Sequence, residues 1–380
     1  MSETDTWRAW LVLLRTPGLG PSILRQWLLA HDRRIETVLA HAPRRAAALG
    51  AEAVAWLERP DEALLAADLD WLAQPGHRLL CCTEADFPPL LEAIPNPPAA
   101  LFVSGEAGLL LFPQVAIVGS RSATAAGLAQ ARTFARELAL AGFVVTSGMA
   151  DGVDGAAHLG ALDAGCPTVA VVGTGLDRVY PRKHLALAHR IAQEGVLVSE
   201  FPLGTAAVAG HFPRRNRILS GLALGTLVVE ADLESGSLIT ARLAGEQGRE
   251  VFALPGSVHN PLSRGCHQLI RDGARLVETA AEVGQVLAPQ ARALGAELAA
   301  RLQDEAPAAG SRGGGARQGW SGDPEYGQLL AALGHDPASL DELAGRTGQS
   351  AAALSSMLLM LELEGVVGSL PGNRYQRLPG

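Results

Sequence analysis

Lysine is almost missing from this sequence: of 31 basic residues in 380, thirty are arginine and one, Lys183, is lysine. Codon bias accounts for such a skew; so does a site at 183 that needs a compact, strongly hydrated ammonium where a planar guanidinium fork would not serve. Aromatic residues make up only 4%, so Ala, Leu and Val must fill the core. The four cysteines (Cys81, Cys82, Cys166, Cys266) form no C-x-x-C pair and have no His-x-x-x-His partners. That argues against a zinc or dithiol site, and they read as buried thiols of a reducing cytoplasm. No apolar run approaches the roughly 20 residues of a membrane span, and Met1–Thr6 is polar and acidic, unlike a secretory leader. The expectation is a cytoplasmic protein with no membrane partner.

Catalytic signatures are also missing. No segment fits G-x-x-x-x-G-K-[ST], and Gly173-Thr174-Gly175 has Arg178 where a dinucleotide fingerprint requires its third glycine. No Ser-His-Asp or Cys-His set presents itself by spacing, and no cluster has the spacing of metal ligands. The acids Asp151, Asp154, Glu200 and Glu230 are open to two readings, general acid–base work or capping helices and holding arginines. The expectation is a non-enzyme with no catalytic residues, no cofactor and no metal.

What is present is 48% hydrophobic residues, ample for the two or three domains that 380 residues suggest. Residues 1–78 carry apolar positions at helical spacing, with helices expected at 7–14, 22–30, 34–40, 44–49 and 52–58. Thr16-Pro17-Gly18-Leu19-Gly20-Pro21 is a Gly-rich turn between the first two. It reads either as a helix-hairpin-helix, whose turn amides hold a phosphate, or as a plain turn in a small helical interaction domain. Residues 84–103 are proline-rich yet apolar and should pack as an ordered arm on the domain that follows.

From 114 to about 287 the rhythm is strand, small-residue turn, helix. Strands are expected at 115–118, 143–146, 168–172, 196–199, 226–229, 251–253 and 275–277. Helices fall between them, at 123–140, 152–164, 184–193, 215–222, 236–247 and 264–271. This is an α/β fold, a Rossmann-like doubly wound parallel sheet, spanning 79–287. Residues 288–322 turn to Ala, Gly, Arg and Gln and read as a flexible linker. Residues 323–380 read as a small winged-helix-like domain with a long helix at 351–365. That helix holds no Lys or Arg and has Glu362 and Glu364, so protein contact or regulation suits it better than duplex reading.

The chemistry-bearing groups fall at the carboxyl ends of the expected strands: Gly119-Ser120-Arg121, Gly148 with Asp151, and Tyr180 with Arg182 and Lys183. The stretch from His211 to Ala244 adds Phe212, Arg214, Arg215, Asn216 and Arg217, then a buried strand, then Ser235-Gly236-Ser237 at a helix start. Small residues there leave backbone N–H groups free for an anion, which the helix dipole favours. The whole chain carries a net charge of −8, yet residues 170–220 hold seven basic and three acidic groups, a local +4. Tyr180, Phe201 and Phe212 interleave with that charge. A narrow basic groove with aromatics in an acidic protein suits a single strand, whose bases are free to stack, better than a duplex.

Several motifs carry a resemblance to a known family. They are AIVGSRSAT at 116–124, SGMADGVDGAAH at 147–158, GTGLDRVYPRKH at 173–184 and SEFPLGT at 199–205. FPRRNRILSGL at 212–222, VVEADLESGSLITA at 228–241, ALPG at 253–256 and GCHQLIRDGA at 265–274 complete the set. In this order they closely resemble the DprA/Smf (DNA-processing protein A) family. The resemblance implies a single-stranded DNA binder that protects incoming strands in natural transformation, loads the RecA recombinase on them, and forms a homodimer through the Rossmann-like domain. It also implies DNA contacts at Ser120, Arg121, Lys183, Arg214, Arg215, Asn216 and Arg217. The sequence departs from the family at His184, where Asn usually follows Tyr-Pro-x-x. An alternative is a nucleoside-monophosphate phosphoribohydrolase resembling the lysine-decarboxylase-like family. Its P-G-G-x-G-T-x-x-E motif is absent, the corresponding turn reading Glu234-Ser235-Gly236-Ser237-Leu238-Ile239-Thr240.

Overall fold

The computed structural model describes residues 3–304 without a break and parts of 324–377. Residues 1–305 and 306–380 form two units. Five helices open the first: α1 (Glu3–Leu14), α2 (Pro21–Leu29), α3 (Ile35–Ala46), α4 (Ala51–Glu58) and α5 (Glu62–Leu72). The two short helices expected at 34–40 and 44–49 are one helix with Pro43 inside it, and α5 follows the last helix that the periodicity predicts. Asp61 caps α5, accepting bonds from the amides of Ala63 and Leu64.

Next come β1 (His77–Cys81), the short helix α6 (Pro89–Glu92) and β2 (Ala100–Gly105). The alternation then runs β3 (Gln114–Val118), α7 (Ala125–Leu140), β4 (Val144–Ser147), α8 (Val153–Asp163), β5 (Thr168–Val171), α9 (Leu185–Glu194) and β6 (Val196–Ser199). It continues α10 (His211–Leu222), β7 (Gly225–Val228), α11 (Gly236–Glu246), β8 (Glu250–Ala253), α12 (Arg264–Arg271), β9 (Arg275–Leu276) and α13 (Ala280–Asp304).

The nine strands form one sheet in the order β1-β2-β6-β5-β4-β3-β7-β8-β9. From β6 to β9 every pair is parallel, whereas β1 and β2 are antiparallel additions at one edge. The arm expected over 84–103 is therefore partly a strand of the sheet: Ala100–Val103 are apolar and buried, and backbone pairing with β1 on one side and β6 on the other serves their polar groups. Along β3 the side chains alternate between two cores. Val115 and Ile117 pack with α7, α8 and α13; Ala116 and Val118 join the core that includes Trp10, Leu11 and Leu13 of α1. The N-terminal helices thus share a core with the sheet, and contacts divide no domain at 78. Of the linker expected over 288–322, residues 288–304 are helical, the continuation of α13 to Asp304.

In the second unit, α14 (Pro324–Leu333) and α15 (Leu340–Thr347) pack with a three-stranded sheet of β10 (Ala338–Ser339), β11 (Val367–Leu370) and β12 (Arg374–Arg377). Of the helix expected at 351–365, only Leu354, Met357, Leu358 and Leu361 are described, all four helical and buried. The rest of that helix, and residues 305–322 of the expected linker, lie outside the described residues.

His158 on α8 is fully buried, with Nδ1 2.8 Å from the Thr168 hydroxyl, which itself bonds the Val145 carbonyl at 2.6 Å. Thr168 gives its proton to Val145, so it accepts from Nδ1–H, while the imidazole Nε2 is buried without a partner. Burial pushes its pKa down to about 3. The unfolded chain binds a proton below about 6.5 and the folded chain does not, so stability is lost as pH falls from 6.5 towards 3. The expected slope from this residue is about 1.4 kcal/mol per pH unit between those values. Urea unfolding of His158→Gln should lack that part of the acid limb, and a parallel limb would refute the assignment.

Candidate nucleic-acid interface

Chain order in the sheet reverses between β3 and β7, and a cleft of about 730 Å³ opens there at the carboxyl ends of the strands. An open α/β sheet places a ligand at such a point. Of the residues singled out from sequence, Gly119, Ser120, Arg121, Tyr180, Phe212, Arg215, Asn216, Ser235, Gly236 and Ser237 line it. Gly148, Arg182, Lys183, Arg214 and Arg217 do not.

One helix N-terminus at this rim is closed and another is open. Glu230, at the end of β7 with φ +57°, accepts bonds from the Thr124 amide at 2.7 Å and the Thr124 hydroxyl at 2.6 Å. Gly127 makes room for it, since a Cβ there would sit 2.4 Å from Glu230 Oε2. A carboxylate thus occupies the start of α7, the place a dinucleotide phosphate would take. At α11, Ser235 caps the Ser237 amide, and the exposed Gly236 has open space around its Cα.

The aromatic side of the cleft is a contact between Tyr180 and Phe212, ring centres 5.5 Å apart. Tyr180 is half exposed, and the exposed Arg121 lies over the Phe212 ring at 5.6 Å. Phe201, at 6% exposure, is core; it stacks on His211 at 4.3 Å and lies beneath Arg214.

α10 starts at His211, four residues before the start read from sequence, because Pro213 is tolerated in a first turn. The buried face of α10, with Ile218, Leu219 and Leu222, decides where the residues of FPRRNR point. Arg214 is exposed. Arg215 is 5% exposed, donating from Nη1 to the Val171 carbonyl at 2.7 Å. Gly148 is glycine for its sake: a Cβ would sit 1.8 Å from that nitrogen. Arg217 turns to Glu200 at 2.5 Å, with both side chains largely buried, and Arg214 reaches the same carboxylate at 3.9 Å. Burial lowers the Arg215 pKa to about 10 and raises that of nearby Asp154, an effect the Arg215 charge partly offsets. Arg215 and Arg217, expected from the family pattern to touch DNA, are thus engaged inside the protein.

Lys183 and Arg182 are exposed in a single 3₁₀ turn (Arg182–His184), where Lys183 pairs with Asp151 at 2.9 Å. His184 Nδ1 lies 3.0 Å from the Met149 carbonyl, tying this turn to the one after β4 despite the departure from the usual Asn. All four acids weighed for catalysis are occupied: Glu230 caps, Glu200 holds arginines, Asp151 pairs with Lys183, and Asp154 is buried near Arg215. Asp232 and Glu234, which the sequence reading passed over, add negative charge to the α11 wall. Among the described residues no His/Cys/Asp/Glu group has the arrangement of a metal site, and no helix is long and apolar enough to cross a membrane. The Gly-rich turn at 16–21 uses the amides of Leu19 and Gly20 internally, bonding Thr16 and Gly18 carbonyls at 3.1 Å, and buries Leu19.

Fold and cleft define a Rossmann-like α/β protein with a basic, aromatic rim at its switch point. The sequence profile described as DNA recombination-mediator protein A matches residues 78–288, and that of the DprA winged helix domain matches 304–373. Protein Smf of Escherichia coli K12 is 42% identical over 316 residues, 82% of this chain and 80% of that protein. The solved structure of DNA processing protein A from Streptococcus pneumoniae superposes with a TM-score of 0.64 at 34% identity, covering 74% of this chain and 97% of that one. The DNA processing protein A of Helicobacter pylori, described for its single-stranded DNA binding mode, matches at TM-score 0.51 and 32% identity, covering 56% and 96%. The chain belongs to the DprA/Smf family of DNA-processing proteins.

Proposed function

We propose that this protein binds single-stranded DNA along the switch-point cleft, protects it, and loads the RecA recombinase on it during natural transformation, working in the cytoplasm as a homodimer through the Rossmann-like sheet. The observation that carries the DNA reading is the gathering, in one cleft, of the exposed Arg121, the Tyr180–Phe212 contact and the open N-terminus of α11. Rings of this kind stack on bases that are already unpaired, and a duplex offers none. The strand binding described for the Helicobacter pylori relative and the recombination-mediator description of the family support the same reading. Direct contacts are assigned to Arg121, Tyr180, Phe212, Asn216 and the 235–237 turn, with Arg182, Lys183 and Arg214 extending the charge outside the cleft.

The test is filter binding of single- and double-stranded oligonucleotides across a salt series. Arg121→Ala is expected to weaken single-strand binding about tenfold, roughly 1.4 kcal/mol. It should also reduce the salt slope by about 0.7, one phosphate contact on a single strand. An unchanged slope and affinity would remove Arg121 from the interface. Release of free base from a nucleoside monophosphate would favour the phosphoribohydrolase instead.

A further inference from the structure

One side chain of the N-terminal helical region bonds the loop between β6 and α10. Arg15, just after α1, sets its guanidinium fork on Asp68 of α5, with Nε 2.5 Å and Nη2 2.7 Å from the carboxylate oxygens. Asp68 is fully buried, and a carboxylate there needs such a partner. That much is a core ion pair joining α1 to α5. The third bond is different: Nη2 also donates to the Leu203 carbonyl at 3.0 Å, across 188 residues of sequence.

Leu203 sits at the base of the loop that builds one wall of the cleft. Glu200, at its start, holds Arg217 and reaches Arg214. The Gly204 amide donates to Asp177 at 2.8 Å, and the Gly175 amide to the Thr205 carbonyl at 3.0 Å. Packing here is tight, since a Cβ on Gly175 would lie 2.7 Å from the Pro202 carbonyl. Ala207 and Ala209 then line the cleft, from a stretch at 206–210 that is exposed throughout. The base of the loop is pinned on one side by the 175–177 turn and on the other by Arg15; its tip rests on that base.

We propose that Arg15 is a positioning residue for the 200–210 loop, through which the N-terminal helices hold the wall of the cleft in its strand-binding shape. The loop itself rests on geometry alone; its consequence for binding rests on the single-strand reading given above.

The test uses the full chain with the double substitution Arg15→Met and Asp68→Leu, which removes both charges together so that neither is left buried alone. Amide hydrogen exchange over 203–210 is expected to accelerate about tenfold, while the thermal midpoint moves by less than about 3 °C and exchange in α8 is unchanged. Affinity for an oligothymidylate should fall about three- to tenfold, chiefly through faster dissociation. Arg15→Lys keeps a cation against Asp68 without the fork, and should give intermediate exchange and affinity; it carries the same readouts should the double variant fail to fold. Unchanged exchange over 203–210 overturns the role of Arg15, whether or not the protein binds DNA. Accelerated exchange with unchanged affinity overturns the coupling to the cleft. If the unmodified protein binds no single strand, the function proposed above falls, and exchange alone still decides the loop.

Discussion

Arg215→Ala is expected to cost about 3–5 kcal/mol of folding stability, more than any other change in the basic cluster. The guanidinium is buried against the Val171 carbonyl, and its loss leaves that acceptor unpaired, opens a cavity and takes from Asp154 the charge that most lowers its pKa. The deficit should depend on pH with a definite sign. Burial already holds Asp154 above the usual carboxylate range, so the folded state is penalised once pH is high enough to ionise it. Without Arg215 that penalty grows at neutral pH and vanishes where Asp154 is protonated in both states. The stability difference between variant and parent should therefore be larger at pH 8 than at pH 4 in urea titrations. A deficit under about 1 kcal/mol, or one that grows in acid, would show that the guanidinium does not serve the core as described. Gly148→Ala provides a check from the other side, because its Cβ would enter the space of the same guanidinium.

Phe212→Ala should have the largest effect on binding: about 1–3 kcal/mol, the range for one stacked base. The prediction is distinctive in its salt dependence. Removing a ring removes no phosphate contact, so affinity should fall by a similar factor at every salt concentration, whereas Arg121→Ala should lose less as salt rises. Phe212 also packs on Tyr180 and under Arg121, so the alanine variant releases both neighbours. Phe212→Leu, which keeps volume without a π-face, separates stacking from simple support. Equal affinity for Phe212→Leu and the parent would overturn the stacking role.

The contrast between Arg215 and Phe212 shows what could be read from sequence. The parallel sheet was legible because each strand is a short apolar run closed by small residues, and those runs recur at a spacing that leaves room for one helix. The rim was legible for the same reason: turns after such strands share one edge by topology. The antiparallel strand β2 was not, since an apolar segment rich in proline carries no alternation that separates a strand from a packed arm, and β1 (HRLLC) is too short a run to show one.

What the residues determined by themselves is the scaffold, the edge that bears the site, and a surplus of positive charge along it. Which charges face outward was decided only by the tertiary structure. Within FPRRNR the four candidates differ by one helical step of about 100° each, so burying the Ile218, Leu219 and Leu222 face of α10 sends Arg215 to the core and Arg217 to Glu200 while leaving Arg214 in solvent. Local sequence states that arginines are present. Packing against β5 and the 200–210 loop states which of them face solvent.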